Sequence, residues 1–264
     1  MAAKPVAILG VSGRMGQSLV RTLEGNQQLT LIGALASPQS SHLGHDAALE
    51  GTPTRVSIGA DAHQALQGAE VALDFSSAAA VASHAKICAE LKIALLVGTT
   101  GLGPAALEAL KRASSAIPVL IAPNTSVGVS VLLELASLAA ARLGGDFDIE
   151  IGEAHHKLKR DAPSGTALAL GEAMAQARGT SLEKAAVYER GGAARKEGSI
   201  GFSVTRAGDL VGEHTVLFAA AGERLEITHR ATDRAIFARG ALKAALWLLS
   251  QRPGLYRMQD VMSA

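Results

Sequence analysis

Short apolar runs recur along the first half of the chain, each followed by a polar or glycine-containing turn and then by a helical pattern. The runs show little alternation of polar with apolar residues, which is typical of strands covered on both faces of a parallel sheet. Strands that alternate with helices predict right-handed β-α-β units. The predicted strands are residues 6–9, 29–35, 71–75, 93–97 and 119–121, and the helices between them cover about 17–24, 78–91 and 104–116.

The pattern changes after Asn124. A helix is predicted over 129–143, a strand over 147–154, a helix from 166 and a loop over 188–197. Short glycine turns separate three runs rich in Val, Ile, Thr and Phe, which favours an antiparallel or mixed sheet; these runs are 200–206, 213–218 and 224–229. A strongly amphipathic helix follows at 236–250. The pattern predicts an α/β protein with a parallel-sheet domain and a second α+β domain.

Composition narrows the class of protein. Hydrophobic residues make up 48% of the 264 residues and aromatic residues 3%, so the core is aliphatic. A net charge of +1 without a basic domain argues against a nucleic-acid partner. The N-terminus lacks a signal-peptide pattern, and no uninterrupted apolar run is long enough to span a bilayer. We therefore expect a cytoplasmic location and no membrane partner, and the single Cys88 fits a reducing compartment as a core residue.

The densest chemistry lies in residues 153–166, Glu-Ala-His-His-Lys-Leu-Lys-Arg-Asp-Ala-Pro-Ser-Gly-Thr. Ser164 is a good helix N-cap, and Gly165 and Thr166 open a helix whose first turn can hold an anion. His155 and His156 can exchange protons near neutral pH. Each part alone is common in structural roles, but together they favour a site that binds and protonates a small dianion. Adjacent strand histidines point to opposite faces, so no metal site is expected.

A glycine-rich turn follows the first predicted strand. Gly10, Gly13 and Gly16 stand between a strand and a helix, where glycine permits a tight turn and close approach of a pyrophosphate. The spacing differs from the usual G-x-G-x-x-G. The second strand ends at Ser37-Pro38, with neither an acid for a ribose hydroxyl nor an Arg for a 2′-phosphate, and Ser37 could bind either group. The sequence therefore leaves the choice between NADH and NADPH open.

Taken together, the chain resembles the 4-hydroxy-tetrahydrodipicolinate reductase (dihydrodipicolinate reductase) family of lysine and diaminopimelate biosynthesis. The resemblance runs from about residue 5 to about residue 261, and the run at 153–166 is its most specific part. The other matching stretches are G-V-S-G-R-M-G at 10–16, V-G-T-T-G at 97–101, P-N-T-S-V-G-V at 123–129 and R-A-G-D-L-V-G-E-H-T at 206–215.

The resemblance implies a Rossmann-type dinucleotide-binding domain, residues 1–126 with 236–264, and a substrate-binding and oligomerisation domain, residues 127–235, in a homotetramer. It implies NADPH or NADH as cofactor and a cyclic imine dicarboxylate as substrate. His155 matches the proton donor and Lys159 the second catalytic residue. His156, Gly165 and Thr166 match substrate-binding positions. The positions that match cofactor-binding residues are Gly10, Val11, Ser12, Gly13, Arg14, Met15, Gly98, Thr99, Thr100, Ala122, Pro123, Asn124 and Thr125.

The sequence departs from the family at several positions. Many members carry an acid, often followed by Arg, where this chain has Ser37-Pro38, and some carry a third histidine at Leu158. After Asp74-Phe75 some members have an Arg and a Pro that this chain lacks, so contacts there are not carried over. Glu213-His214 lies in a predicted strand, and we expect it to serve contacts between subunits.

Two other functions fit parts of the sequence. A second two-domain dehydrogenase, of the aspartate-semialdehyde or homoserine type, shares the glycine turn and the second sheet, but Cys88 falls within a helix and the His-His-Lys cluster is then unexplained. A non-enzymatic nucleotide-binding sensor needs the glycine turn but neither His155 nor Lys159. Substrate-dependent oxidation of the cofactor separates an enzyme from a sensor.

Overall fold

A computed structural model describes residues 2–263. In chain order, the strands are β1 (Lys4–Leu9), β2 (Leu29–Leu35), β3 (Ile58–Gly59), β4 (Val71–Asp74), β5 (Ala94–Val97), β6 (Pro118–Ile121), β7 (Asp148–His155), β8 (Ala186–Val187), β9 (Ile200–Arg206), β10 (Gly212–Ala220), β11 (Glu223–Ala231) and β12 (Gly254–Tyr256). The α-helices are α1 (Arg14–Leu23), α2 (Ala62–Leu66), α3 (Ala78–Leu91), α4 (Pro104–Ala113), α5 (Val127–Leu143), α6 (Gly165–Ala177), α7 (Leu182–Ala185), α8 (Ala235–Leu248) and α9 (Met258–Met262).

Internal contacts divide the chain into two units. The first runs up to Val127 and resumes at Ala235, and the second spans Gly128–Arg234.

The first unit is a parallel sheet with a core on each face. Its strand order is β12-β6-β5-β4-β1-β2-β3, and every pairing is parallel. Val6 and Ile8 of β1 join one apolar cluster, whereas Ala7 and Leu9 join the other. Both sides of the strand are therefore buried, which explains the apolar runs without alternation and confirms the predicted Rossmann-type sheet.

Serine hydroxyls end two helices earlier than the apolar pattern predicts. The helix predicted to reach residue 116 ends at Ala113, because the hydroxyl of Ser114 donates to the carbonyl of Lys111 at 2.8 Å. The helix predicted to reach residue 250 ends at Leu248, where the hydroxyl of Ser250 donates to the carbonyl of Trp247 at 2.7 Å. Such local bonds offer the backbone an alternative to the helical pattern.

The second unit is built on a mixed sheet with the order β11-β10-β7-β9-β8, as predicted. Strand β7 pairs antiparallel with β10 and parallel with β9. Ile149 and Ile151 of β7 enter the core of this unit. Side chains alternate along a strand, so Glu153 and His155 continue on that same face. The inner face of β7 is therefore apolar at its start and polar at its end.

Helix α5 is the apolar helix of the second sheet. With the 3-10 turn Gly144–Asp146 that follows it, it forms the one stretch within residues 2–263 that is long and apolar enough to cross a membrane by length and composition. Leu132, Ala136 and Ala140 of this helix are buried in the core of the second unit. Core helices of globular proteins pass the same test, so the absence of a membrane partner stays a prediction.

Candidate active site

Close packing at the turn after β1 requires its glycines. Gly10 has a φ of +85°, and a Cβ there would lie 2.6 Å from the carbonyl oxygen of Phe75. A Cβ on Gly16 would lie 2.4 Å from the carbonyl oxygens of Gly10 and Val11. The amides of Gly10 and Val11 both donate to the carbonyl of Leu35 at 2.9 Å. Helix α1 then begins at Arg14 after Gly13, so the amides of Arg14 and Met15 lie in its first turn, where no carbonyl one turn earlier accepts from them.

The other predicted cofactor residues follow neighbouring parallel strands. Residues 98–100 come directly after β5, and residues 122–125 come directly after β6. A Cβ on Gly98 would overlap the ring of Phe75, so a larger residue there requires this ring to move. Parallel strands end at one edge of a sheet, so the structure places these segments beside the glycine turn, at the edge where doubly wound sheets bind ligands.

Side-chain bonds fix the segment after β6. The hydroxyl of Thr125 donates to the carbonyl of Phe237 at 2.7 Å, and the amide of Ser126 donates to Oδ1 of Asn124 at 2.9 Å. A Cβ on Gly240 of α8 would lie 1.8 Å from the carbonyl oxygen of Thr125. Helix α8 therefore holds this segment by close backbone contact.

A buried Asp74–His84 pair supports the same edge, and the sequence analysis missed it. Asp74 accepts from Nδ1 of His84 at 2.8 Å and from the amide and hydroxyl of Ser76 at 3.0 and 2.6 Å. Thr99 donates to the backbone and side-chain oxygens of Asp74 at 3.2 and 3.3 Å. The only sequence signal is an acid that ends a buried strand. Asp74 therefore joins the turn after β4 to the turn after β5.

The loop after β2 carries no uncompensated carboxylate next to Ser37. Ser37 is exposed and donates to Oε1 of Gln39 at 2.5 Å. Further along, Asp46 accepts from the amides of Ala48, Thr54 and Arg55 at 2.7–2.9 Å. Burial would raise the pKa of Asp46, but these hydrogen bonds lower it below its usual value. The backbone amides of its own loop therefore stabilise the charge of Asp46.

Cys88 is a core residue, as predicted. It lies buried on α3, and burial, helped by the charge of Asp74, raises the pKa of its thiol to about 12. A thiol with this pKa is not ionised near neutral pH, so Cys88 cannot serve as the thiolate nucleophile of a semialdehyde-type dehydrogenase.

In the second unit, His155 ends β7 and is held by a buried carboxylate. Nδ1 of His155 donates to Oε2 of Glu153 at 2.6 Å. Burial lowers the pKa of His155, whereas the hydrogen bond and charge of Glu153 raise it, and Lys159 and Arg206 lower it again. The other ring nitrogen faces Gly212, where a Cβ would lie 3.0 Å from Nε2. Because residue 212 is glycine, no side chain crowds Nε2 from this strand.

Arg206 neutralises Glu153. The strand register sets Arg206 of β9 opposite His155, and its two terminal nitrogens each donate to a different oxygen of Glu153 at 2.8 Å. Burial would raise the pKa of Glu153, but the bonds from Arg206, His155 and Ser164 hold it below its usual value. Glu153 is therefore a carboxylate near neutral pH. The sequence analysis gave neither residue a role, although both lie in the stretches that carry the family resemblance.

The start of α6 lies next to this pair. Ser164 is the N-cap, as predicted, and its hydroxyl accepts from the amide of Ala167 at 3.2 Å. Its own amide donates to Oε1 of Glu153 at 3.0 Å. A Cβ on Gly165 would meet no atom within 4 Å, so the space beside the first helical residue is open. Gly165 and Thr166 thus begin a helix at the position where the sequence predicts an anion cradle.

Lys159 and His156 lie in the loop between β7 and α6. Nζ of Lys159 donates to Oδ2 of Asp161 at 2.8 Å, and this bond is the main cause of the lowered pKa of Asp161. His156 is half-buried and follows the last residue of β7. Within residues 2–263, no group of three or more His, Cys, Asp and Glu side chains is arranged to hold a metal ion.

The expectation that His214 serves subunit contacts is wrong. His214 is 4% exposed within this one chain, and its Nε2 lies 3.0 Å from the hydroxyl of Ser164. Its ring stands edge-on to that of His155, with 5.1 Å between ring centres. Burial and the nearby His155 lower the pKa of His214 to about 4. His214 is therefore a neutral internal support of the α6 start.

Comparisons with known proteins agree over nearly the whole chain. Residues 4–125 match the family model described as dihydrodipicolinate reductase, N-terminus, and residues 128–262 match the model described as its C-terminus. The chain is 45% identical to the 4-hydroxy-tetrahydrodipicolinate reductase of Nitrosomonas europaea over 260 residues, 97% of each chain. It is 48% identical to that of Cereibacter sphaeroides over 261 residues, again 97% of each chain.

One solved structure repeats the fold across both units. The dipicolinate-bound dihydrodipicolinate reductase from Paenisporosarcina sp. TG-14 superposes with a TM-score of 0.78 at 24% identity and covers 97% of each chain. Because both family models match and the relatives align along their full lengths, the chain belongs to the dihydrodipicolinate reductase family.

Proposed function

We propose that this chain reduces 4-hydroxy-tetrahydrodipicolinate to tetrahydrodipicolinate with NADH or NADPH, in lysine and diaminopimelate biosynthesis, and that His155 supplies the proton. Family membership supports the reaction. The observation that supports the role of His155 is the bond from its Nδ1 to a buried, charged Glu153, with no side chain at Gly212 to cover Nε2.

His155 suits the role of a general acid. Reduction of a carbon conjugated to an imine places negative charge on the neighbouring carbon, which must then be protonated. Because Nδ1 is bound to Glu153, the proton leaves from Nε2, which no side chain of residue 212 covers. The acid must be protonated to act, and burial lowers its pKa. Activity therefore falls as the pH rises through that lowered pKa.

A substrate dianion binds to positive groups, and we assign this role to residues of the second unit. The first turn of α6, at Gly165 and Thr166, offers backbone N–H groups and the positive end of the helix dipole to one carboxylate. Lys159 is the second catalytic residue, and its charge is neutralised by Asp161 until an anion competes for it. His156 is assigned to the substrate by the family resemblance.

The dinucleotide is assigned to the first unit. The residues present fit it, because Gly10, Gly16 and Gly98 let the turns after β1 and β5 pack closely at the carboxyl edge of the sheet, where helix α1 begins. The reduced nicotinamide supplies the hydride when it is bound. The amides of Arg14 and Met15 would face the pyrophosphate, and residues 98–100 and 122–125 would line the nicotinamide half. Ser37 would face the adenine-side ribose of either cofactor.

The homotetramer and the cytoplasmic location stay predictions. Strand β11 is an edge strand of nine residues, and it carries Leu225 with 42% exposure. Long edge strands with exposed apolar groups are commonly covered by another chain. We therefore assign the subunit contact to this edge of the second sheet. Light scattering in solution tests the tetramer by its mass, and a lower mass in Leu225→Lys would support the assignment of the contact to β11.

The test of the reaction is the loss of NADH or NADPH absorbance, with substrate made in situ from pyruvate and aspartate semialdehyde by the preceding synthase. We expect oxidation that requires the synthase product, and a fall in turnover of about 100- to 10,000-fold in His155→Gln. The exposed His63→Gln is the matched control and keeps its turnover. Unchanged turnover in His155→Gln would refute the assignment of the acid, and oxidation without the synthase product would refute the substrate.

A further inference from the structure

The carboxylate of Glu153 uses its full hydrogen-bonding capacity within the second unit. It is fully buried, and its two oxygens receive four hydrogen bonds. Oε2 accepts from Nδ1 of His155 and from Nη1 of Arg206. Oε1 accepts from Nη2 of Arg206 and from the amide of Ser164. A carboxylate has about four lone-pair directions, so all of its acceptor capacity is used.

We propose that Glu153 is a positioning residue for the reduction: one carboxylate aims the imidazole of His155 and at the same time fixes the start of α6, so that the proton donor and the anion cradle keep a constant separation. This inference rests on the proposed function. Glu153 contacts neither substrate nor cofactor in this scheme and acts only through the groups that it holds.

The strand register explains why one side chain can reach both groups. Residues 153 and 155 lie on the same face of β7, so the carboxylate reaches Nδ1 of the neighbouring ring directly. Ser164 is the N-cap of α6, and its amide is fixed by Oε1 of Glu153. Arg206 extends the connection, because its Nη2 also donates to the carbonyl of Asp161 at 2.6 Å. A shift of Glu153 would therefore move the donor and the cradle together.

Glu153 is also the one charge next to His155 that favours its protonated form among the described residues. Two cations face the ring, Arg206 from β9 and Lys159 from the loop before α6, and both lower the pKa of His155. His214 faces it from β10 and is neutral, because burial lowers the pKa of His214 to about 4. Ser164 at the start of α6 is uncharged. Removing the charge of Glu153 leaves burial and two cations acting against the imidazolium.

The experiment compares Glu153→Gln, Glu153→Asp and a matched control, Glu150→Gln. Glu150 lies on the same strand but on the opposite face, where it pairs with Arg190 and Arg195. We would measure the pH profiles of kcat and kcat/KM, and titrate the ring of His155 by NMR of ¹⁵N-labelled histidine. The His155→Gln variant identifies the signal, and this readout does not depend on activity.

In Glu153→Gln we expect both the alkaline limb of kcat/KM and the His155 titration to move about one pH unit lower, because an opposite charge in contact has been removed. We expect KM for the substrate to rise as well, because the start of α6 loosens. Glu153→Asp keeps the charge on a shorter side chain. We therefore expect the alkaline limb of kcat/KM to stay in place and kcat to fall. Glu150→Gln keeps both the limb and kcat.

A fall in kcat without movement of either the limb or the titration would overturn the proposal, because a merely structural role predicts that result. If Glu153→Gln does not fold, wild-type kcat and KM in Glu153→Asp overturn it instead. The underlying function fails separately, by retained turnover in His155→Gln. Loss of turnover there together with an unmoved profile in Glu153→Gln refutes only the positioning role.

Discussion

The two units each contain a histidine bound through Nδ1 to a buried carboxylate at the end of a strand. In the first unit His84 binds Asp74 at 2.8 Å, and in the second His155 binds Glu153 at 2.6 Å. The surroundings differ. Asp74 is completed by the hydroxyl groups of Ser76 and Thr99, whereas Glu153 is completed by a guanidinium. His84 lies within helix α3, whereas His155 ends its strand beside Gly212.

The difference teaches that a His–carboxylate pair has no fixed role. Through the hydroxyl groups of Ser76 and Thr99, Asp74 joins two turns of the cofactor edge. A cation bound to Glu153 keeps it ionised, and the partner ring keeps Nε2, which no side chain at residue 212 covers, as the nitrogen with which to act. The predictions below test this division, and they begin with the change of largest expected effect.

Arg206→Met should be the most damaging change to stability. It leaves Glu153 buried without its counter-ion, and breaking a buried pair in this way costs about 3–5 kcal/mol. Lys4→Met is the control, because its pair with Glu70 is exposed and such pairs contribute only about 0–1 kcal/mol. Urea denaturation measures both values. Similar losses in the two variants would show that Arg206 does not hold Glu153 in the way inferred.

His214 should make stability depend on pH. Its pKa of about 4 lies below the usual 6.5, so the unfolded chain binds more protons between these values. Stability is then present in full above pH 6.5 and falls as the pH drops towards 4, by about 3 kcal/mol in total. Urea midpoints between about pH 7 and about pH 5 should decline in the wild type and decline less in His214→Asn. His63→Asn, at an exposed site, should keep the wild-type slope.

Much of the fold could be predicted from local pattern, because strands buried on both faces and amphipathic helices have their own periodicities. The short elements β3, β8 and β12 could not, since two or three residues carry no period and depend on the neighbouring strand. The 153–166 stretch was identified as a candidate site because its chemistry is contiguous. Arg206 and His214 were assigned no site role because strand register brings them there from more than forty residues away.

Asp74→Asn should separate the two pairs with the smallest change in stability. The amide keeps one acceptor oxygen and puts a donor where His84 or Ser76 now donates, which costs about 1–2 kcal/mol. Because Asp74 holds Thr99, we expect the Kd of the cofactor to rise by about tenfold, which corresponds to about 1.4 kcal/mol.

The alkaline limb of kcat/KM should stay in place in Asp74→Asn, in contrast to Glu153→Gln, because Asp74 does not contact the proton donor. Asp61→Asn, at the exposed N-cap of α2, is the control and should leave cofactor affinity unchanged. Calorimetric titration with NADPH measures the Kd of the cofactor, and the pH profile of kcat/KM locates the alkaline limb. A moved limb in Asp74→Asn would mean that both pairs tune the same protonation, and an unchanged Kd would mean that the Asp74 pair only stabilises the sheet.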